Sequence, residues 1–300
     1  MTFKAYSTGG LDPTFVPDNF TTTDSDEPYL TWVNYILGTE DIPQIISTSY
    51  GDDEQTVSKA YAVQVCNQFA QFGARGVSLL FASGDYGVGA DGYCYSNDGL
   101  GTFEFLPGFP NDCPYVTGVG ATASYPEVAA FDPRFQIPFT SGAGFSNYFA
   151  QPSWQSKAVD AYIASVNGEY DGFYNKCGRA YPDIAALGQI FAVVWNGSVI
   201  QVDGTSAATP TAAGVLTLVN DALIAAGKSP LGFMNPWLYA YGHKAFTGKP
   251  LQTTCIGGIV LIFLDVTSGS SAGCNTTGFP AKAGWDAVTG WGTPVNTINP

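Results

Sequence analysis

The stretch from Gln44 to Asp85 constrains the fold more than any other part of the sequence. Two apolar runs, Gln44–Gly51 and Gly76–Asp85, each end in small or polar residues, as buried parallel strands do. Between them apolar residues recur at helical spacing: Val57, Tyr61, Val65, Phe69 and Phe72. Gly73 is expected to end this helix. A strand, a helix and a strand in this order predict a βαβ unit.

The rest of the chain continues this pattern. Tyr115–Thr122 and Phe191–Gly197 are apolar runs of the same kind, and we expect two more parallel strands there. A second helix is predicted from about Ser206 to Ala226, with Pro210 in its first turn, where a missing N–H has little effect. Residues 86–114 are rich in Gly, Asp and Asn and are predicted to form a long surface loop. The sequence therefore predicts an α/β fold with one parallel sheet flanked by helices.

Charge and hydropathy restrict the partners. The formal net charge of −14 at pH 7 argues against nucleic acid, whose phosphates would repel the chain. The same charge suits a protein that works in acid, where many carboxylates are protonated, and it suits a generic acidic surface equally well. The longest apolar run, Ile256–Leu264, is too short to cross a membrane, so we expect no membrane partner.

Cysteine usage favours an exported protein. The six cysteines are scattered, and with no Cys-x-x-Cys pair and a single histidine, His243, a zinc site is not expected. Such cysteines fit a few disulfides in an oxidising compartment, in a pairing that the sequence leaves open. Asn-x-Ser/Thr sites at Asn19, Asn196 and Asn275 agree with export. We expect secretion, although Met1–Tyr6 lacks the apolar run of a signal peptide.

Ser206 is the candidate nucleophile. In Gly204-Thr205-Ser206-Ala207-Ala208-Thr209-Pro210 a glycine turn leads into a helix, which exposes the hydroxyl and directs the helix N-terminus at developing negative charge. A serine that only caps an ordinary helix is the alternative. The motif resembles the nucleophile signature of the subtilisin-like fold, in which the base histidine precedes the serine. The single histidine here follows it, so a Ser-His-Asp arrangement of that type is disfavoured and a carboxylate is the alternative base.

Further motifs follow one another along the chain. Ser83-Gly84-Asp85 ends a predicted strand, and Gly-Thr-Ser-x-Ala-x-Pro surrounds Ser206. Others lie at Ser47–Gly51, Phe109–Pro110, Cys113–Thr117, Val119–Thr122, Gly142–Tyr148 and Tyr181–Asp183. Together these motifs resemble the sedolisins, serine-carboxyl peptidases with a subtilisin-like fold that include tripeptidyl-peptidase-like fungal members. The resemblance implies that residues 1–300 are a partial sedolisin-type peptidase domain, with a subtilisin-like parallel sheet flanked by helices and incomplete at the N-terminus.

The resemblance also implies roles. Ser206 would form an acyl-enzyme with a peptide or protein substrate, and a protonated Asp85 would stabilise the oxyanion, which implies activity at acidic pH. Ser49, Tyr50 and Gly51 would bind the substrate backbone. The protein would act as a monomer. For Asp85 an ordinary turn aspartate stays the alternative.

Two segments near the C-terminus resemble the calcium site of the family: Asp265–Gly269 and Gly284–Gly290. A hard cation prefers carboxylate and carbonyl oxygens, and one Ca²⁺ ion is implied. The resemblance implies that the side chains of Asp265 and Asp286 are ligands. The other implied ligands are the main-chain carbonyls of Val266, Gly284 and Lys282. Two ordinary turn aspartates are the alternative.

The catalytic base is the first departure from the family pattern. Sedolisins carry a glutamate and a supporting aspartate on one helix face as Glu-x-x-x-Asp. No such pattern occurs here: Glu27 falls in a proline-bounded turn, and Glu54 has no aspartate four residues later. We therefore expect the 300-residue chain as given to be inactive. Two alternatives stay open: a non-catalytic homologue or binding remnant, and a subtilisin-type neutral peptidase with an upstream histidine.

The second departure is an insertion. Gly248–Leu264 separates Ala245-Phe246-Thr247 from Asp265, which the family pattern would join directly. We interpret this stretch as an unspliced intron translated in frame, because Gly248-Lys249 can encode a GTAAG donor and Leu264-Asp265 a terminal AG. The mature transcript would then join the codons of Thr247 and Asp265. A genuine hydrophobic insertion is the alternative, since surface loops tolerate insertions well.

Overall fold

The computed structural model describes residues 3–90, 92–241 and 259–298. The described helices are α1 (Tyr29–Leu37), α2 (Lys59–Ala74), α3 (Ser156–Ser165), α4 (Thr205–Ala225) and α5 (Asn235–Tyr241), with a 3₁₀ turn at Glu54–Thr56. The described strands are β1 (Ile45–Thr48), β2 (Asp52–Asp53), β3 (Ser78–Ala82), β4 (Gly108–Phe109), β5 (Thr117–Ala123), β6 (Val128–Ala129), β7 (Phe131–Asp132), β8 (Phe139–Thr140), β9 (Gly144–Ala150), β10 (Gly178–Tyr181), β11 (Ile184–Leu187), β12 (Phe191–Trp195), β13 (Ser198–Val202), β14 (Ile259–Leu264) and β15 (Thr293–Ile298). His243, Cys255 and 248–258 lie outside the described residues.

A parallel sheet forms the centre of the fold. Its strands follow the order β1-β3-β5-β11, and β6 pairs antiparallel with β5 at one end. The crossover from β1 through α2 to β3 is the predicted βαβ unit, with Ile45 paired to Ser78. Both β3 and β5 are buried along their whole length, as the uninterrupted apolar and small residues of these strands require. The predicted α/β fold with a parallel sheet is confirmed.

The two faces of the sheet carry separate apolar clusters. Leu80 of β3 packs in one cluster with Ala208 and Leu216 of α4. Leu79 and Phe81, which point to the opposite face because side chains alternate along a strand, pack in a second cluster with α1 and α2. Helices thus cover both faces, and the carboxyl ends of the strands open onto one edge of the sheet.

Helix α4 is a core helix. Within the described residues it is the one helix long and apolar enough, by length and composition, to cross a membrane. It nevertheless packs against β1, β3, β5 and β11, and its Ala208, Ala212 and Leu216 have no exposed surface. A helix that is apolar on most sides is typical of the interior of an α/β fold.

The predicted parallel strand at Phe191–Gly197 is wrong. β12 instead pairs antiparallel with β13 in a two-stranded hairpin, and its Val194 and Trp195 are exposed. The reason is the turn between them: Asn196 and Gly197 have φ of 48° and 76°, the conformation of a two-residue hairpin turn. The fourth parallel strand is β11, a run of only four residues, Ile184–Leu187.

Residues 86–114 are also more deeply packed than the predicted surface loop. Val88, Phe105 and Leu106 are buried, and the segment contains strand β4. Disulfides tie it down, because Cys94 pairs with Cys274 and Cys113 with Cys66. Of the described cysteines, Cys177 is exposed and unpaired. The Gly-rich composition that predicted a loop reflects close backbone packing instead: at Gly87, where φ is 66°, a side chain would collide with the Ala272 carbonyl.

Candidate active site

Ser206 is the second residue of α4 and its side chain is exposed. Pro210 is the sixth residue of this helix, not a first-turn residue as predicted. A helical residue at this position would donate its N–H to the Ser206 carbonyl, and proline has no N–H to donate. The carbonyl accepts a hydrogen bond from the Ser49 hydroxyl instead, at 2.8 Å. Because Pro210 leaves the Ser206 carbonyl without a helical partner, this carbonyl can bind Ser49. The bond joins the segment after β1 to the start of α4.

Asp85 follows β3 and lies beside the same helix start. Its Oδ1 accepts two hydrogen bonds from Thr205, one from the main-chain N–H at 2.8 Å and one from the hydroxyl at 2.7 Å. The Thr205 hydroxyl also accepts a hydrogen bond from the main-chain N–H of Gly84 at 3.2 Å. Gly84 has φ of 104°, so a glycine is needed for the chain to turn after the strand. Asp85 is thus held by Thr205, the residue directly before Ser206.

The residues that the sequence singled out for substrate binding join this group. Ser49, Tyr50 and Gly51 line a cleft of about 370 Å³ together with Asp85 and Ser206. Ser49 is exposed, and the Tyr50 hydroxyl donates to the Ser25 carbonyl at 3.0 Å. A side chain at Gly51 would approach the Phe109 carbonyl at 3.0 Å, so the chain is closely packed there. The structure therefore brings all five predicted residues to one cleft.

Two carboxyl groups of the cleft were missed by the sequence reasoning. Asp26 precedes α1 and Asp52 lies on β2, and both line the cleft close enough to influence each other's charge. Burial, and then the neighbouring Asp26 carboxylate, raise the pKa of Asp52 to about 8. Burial also raises the pKa of Asp26 to about 6, although a hydrogen bond from Thr56 opposes the shift. The Oδ2 atom of Asp52 is buried and has no hydrogen-bond partner in the described part of the chain.

A base for Ser206 is not found in the described ranges 3–90, 92–241 and 259–298. There the hydroxyl of Ser206 donates to the Ser49 carbonyl at 3.4 Å. Glu54 is buried away from it, accepting hydrogen bonds from the Ser146 hydroxyl and, at 2.8 Å, from the Asn147 N–H. None of the described helices carries a Glu-x-x-x-Asp pattern.

The predicted calcium ligands lie together in the C-terminal loops. The Oδ2 atom of Asp265 accepts from the Gly284 N–H at 2.9 Å, and the Oδ2 atom of Asp286 accepts from the Lys282 N–H at 2.9 Å. The Val266 carbonyl accepts a long hydrogen bond from Thr289 in the same region. In the part of the chain that the structure describes, no three His, Cys, Asp or Glu side chains converge as metal ligands. The predicted calcium site has only two carboxylates, and its other ligands are main-chain carbonyls, so it would not form such a cluster of three side chains.

The insertion continues into regular structure. Ile259–Leu264, its last six residues, form β14 and pair antiparallel with β15. Phe263 is buried, and Asp265 follows this strand directly. The stretch therefore contributes a strand next to the predicted calcium ligand, whichever origin it has.

Comparisons with known proteins agree with this geometry. The model of the subtilase family of peptidases matches residues 19–229. Tripeptidyl-peptidase sed4 of Aspergillus fumigatus is 42% identical, in a match covering 96% of this chain and 49% of that protein. Tripeptidyl-peptidase SED4 of Arthroderma otae is 41% identical, covering 91% and 44%. Among solved structures, Pseudomonas sedolisin, a serine-carboxyl proteinase complexed with two molecules of pseudo-iodotyrostatin, matches with a TM-score of 0.62 at 23% identity, covering 89% of this chain and 65% of that one.

The chain is a subtilase: a family match over residues 19–229 and a subtilisin-like fold define its class. Within that class it belongs to the sedolisins, as its ordered motifs imply and as its similarity to the fungal tripeptidyl-peptidases bears out. The chain spans about half the length of the curated relatives it matches.

The Asp52 carboxyl makes stability depend on pH in a predictable direction. Its pKa is about 8 in the folded chain against 3.8 ordinarily, so between these values the folded state holds a proton that the unfolded state has lost. Stability contributed by this proton is fully present below about pH 4 and is lost as pH rises towards about pH 8. Asp52→Asn cannot ionise, so its melting temperature should fall less than that of the parent between these two pH values.

Thermal unfolding of both proteins at the two pH values measures this difference. Asp221→Asn, on the exposed surface of α4, is the control for loss of one carboxylate. An unchanged pH dependence in Asp52→Asn would show that the carboxyl is not held in its protonated form.

Proposed function

We propose that this chain carries the nucleophile, the oxyanion stabiliser and the substrate edge of a secreted serine-carboxyl peptidase that hydrolyses peptide bonds at acidic pH. The observation that supports this most is the grouping of Ser206, Asp85 and Ser49 at one helix start. Three separate segments of the sequence, each matching a sedolisin motif, meet there. The two disulfides agree with an exported protein.

Ser206 attacks the scissile carbonyl in this proposal. Its Oγ lies at the N-terminal end of a 21-residue helix, where the helix dipole favours the negative charge that develops on the substrate oxygen. The acyl-enzyme forms on Oγ when the leaving amine departs, and water then releases the acyl group. The Ser206 proton needs an acceptor, and the family glutamate that would take it has no counterpart in this sequence.

Asp85 acts as a hydrogen-bond donor to the oxyanion. Both hydrogen bonds from Thr205 reach Oδ1, so the proton of the acid form belongs on Oδ2. Only the protonated acid can donate, which restricts the role of Asp85 to acidic solution. This requirement is the physical basis of the proposed acidic working range.

The substrate backbone is proposed to bind along Ser49, Tyr50 and Gly51, next to the scissile bond at Ser206. The named relatives are tripeptidyl-peptidases, and we extend that specificity to this cleft. An enzyme that removes tripeptides must recognise a free N-terminal ammonium group. Asp26 and Asp52 offer a pair of neighbouring carboxyls for that purpose, because a bound ammonium group would favour their charged form and so lower the pKa values that burial raises.

A hydrolase of this kind works as a monomer on peptide or protein substrates, and the net charge of −14 opposes nucleic acid as a partner. The competing proposal is a non-catalytic homologue, which the bond from Ser206 to a main-chain carbonyl rather than to a carboxylate favours. A subtilisin-type neutral peptidase would need a histidine base, and the single histidine, His243, follows the nucleophile in the sequence.

Peptide hydrolysis at about pH 4 tests these proposals. The 300-residue polypeptide should be inactive. A longer chain that adds a Glu-x-x-x-Asp helix should cleave tripeptides from an unblocked peptide but not from its N-acetylated form.

In that longer chain Ser206→Ala should lower kcat by roughly 10⁵-fold or more. Asp85→Ala should lower kcat by about 10²–10³-fold, because one oxyanion donor is lost.

Asp85→Asn is the matched control, since an amide donates at every pH. It should retain more activity than Asp85→Ala and extend the active range to higher pH. Hydrolysis by the 300-residue polypeptide itself would contradict the need for an added base. A longer chain that stays inactive would favour the non-catalytic homologue.

One Ca²⁺ ion is proposed to bind the side chains of Asp265 and Asp286 and the carbonyls of Val266, Gly284 and Lys282. The buried Oδ1 atom of Asp265 has no hydrogen-bond partner among the described residues, which suits a cation ligand. Asp286 has no exposed surface, and burial raises its pKa to about 7. A divalent cation would compensate both buried carboxyls and hold the loops together.

Calcium should therefore raise the melting temperature, and chelation should lower it. At calcium about 100-fold above the dissociation constant the gain in unfolding free energy is about 2.7 kcal/mol. Asp265→Asn should abolish most of this response. Asp98→Asn, a turn aspartate that accepts from the Leu100 N–H, should keep it. A melting temperature that does not change when calcium is added or removed would contradict the proposed calcium site.

The origin of Gly248–Leu264 stays a proposal as well: an intron retained in the sequence. Because β14 and its buried Phe263 come from this stretch, the spliced chain must supply the strand from another segment. Thr247 would then precede Asp265 directly, and Phe246 would stand two residues before Asp265 in the sequence, as Phe263 does here.

A further inference from the structure

The tip of the β12–β13 hairpin combines an aromatic residue with a glycosylation sequence. Trp195 pairs with Ser198, and Asn196 and Gly197 form the two-residue turn between them with φ of 48° and 76°. These angles are those of a type I′ turn. All four residues are exposed. Asn196-Gly197-Ser198 is an Asn-x-Ser sequence, so its acceptor asparagine lies in the exposed turn of the hairpin.

The surface around this turn is unusually apolar. Trp195 is 70% exposed, and Val194 and Val199 are 73% and 71% exposed. The hairpin pairs with no other strand in the described ranges. Trp195 lies on one face of the hairpin and the Val194–Val199 pair on the other, and exposed apolar side chains at one turn mark a region where a covering group would bury apolar surface. Because directly paired residues project from the same face of a hairpin, Trp195 and Ser198 flank Asn196 on one side.

We propose that Asn196 carries an N-linked glycan whose first N-acetylglucosamine packs against the Trp195 indole. The Asn196 Nδ2 forms a bond to C1 of the sugar, the bond from C1 to the pyrophosphate of a lipid-linked oligosaccharide breaks, and the amide loses one proton as the lipid pyrophosphate leaves. The apolar face of the sugar then covers part of the indole, while its hydroxyls stay in water. The glycan replaces an exposed apolar tip with a hydrated surface.

The other two sequence matches lack this arrangement. Asp18 precedes Asn19, and its carboxylate accepts from the main chain of the next two residues after the asparagine. The disulfide-bonded Cys274 precedes Asn275, and the hydroxyl of Thr277 bonds to Tyr170. Only Asn196 combines a preceding exposed aromatic with a serine paired across a two-residue turn. The two disulfides agree with passage through the oxidising route on which this modification occurs.

Peptide mapping by mass spectrometry tests the modification. The full chain is expressed behind a secretion signal in a glycosylating eukaryotic host. We expect a glycopeptide at Asn196, which Ser198→Ala should abolish while the peptides containing Asn19 and Asn275 stay as they were. Secreted protein with both disulfides closed and Asn196 unmodified would overturn the proposal.

Hydrogen exchange of the β12 and β13 amides tests the packing. Glycans trimmed to a single N-acetylglucosamine should protect these amides as well as intact glycans do, and the unglycosylated Ser198→Ala variant should lose that protection. In Trp195→Thr these amides should exchange as fast as in the unglycosylated protein, whether or not Asn196 is modified. Val194→Thr, the neighbouring residue on the opposite face, should still gain protection from the sugar. Equal protection in Trp195→Thr and Val194→Thr would show that the indole has no part in it.

Discussion

The hydrogen bond from the Ser49 hydroxyl to the Ser206 carbonyl joins the two halves of the candidate site. It exists because Pro210 cannot donate the helical hydrogen bond that this carbonyl would otherwise accept. The proline therefore replaces a bond inside α4 with one between the helix and the segment after β1. Together with the bond from the Ser206 hydroxyl to the Ser49 carbonyl, it holds the segment after β1 against the start of α4, while Thr205 holds Asp85 on the other side.

A second constraint is the number of carboxyl groups that the fold buries. Asp26, Asp52, Asp112 and Asp286 all have raised pKa values, in each case chiefly because burial disfavours the charged form. Each of these four carboxyls holds a proton in the folded state at pH values where the unfolded chain has lost it, so their contribution to stability grows as the solution becomes more acidic. The same acid is what a hydrogen-bond donor at Asp85 needs. Folding and the proposed chemistry thus depend on one solution condition.

The sequence predicted the parts of the molecule that local pattern determines. β3, β5 and α4 lie where apolar runs and the Gly-Thr-Ser motif placed them, because a buried strand or helix needs an unbroken apolar sequence. The hairpin of β12 was misread because apolar runs do not distinguish a central strand from an exposed one, and the Asn196–Gly197 turn was the signal that could have done so. Asp26 and Asp52 were missed for another reason: they are 26 residues apart and meet only in the folded chain.

The disulfide between Cys94 and Cys274 has a mechanical consequence. Cys274 lies in the C-terminal loops between Asp265 and Asp286, whereas Gly87, Gly89 and Ala90, a few residues before Cys94, line the cleft. Gly87 packs against the Ala272 backbone so closely that no side chain would fit between them. The cleft wall and the C-terminal loops are therefore joined by a covalent bond as well as by close backbone packing, and neither link passes through the sheet.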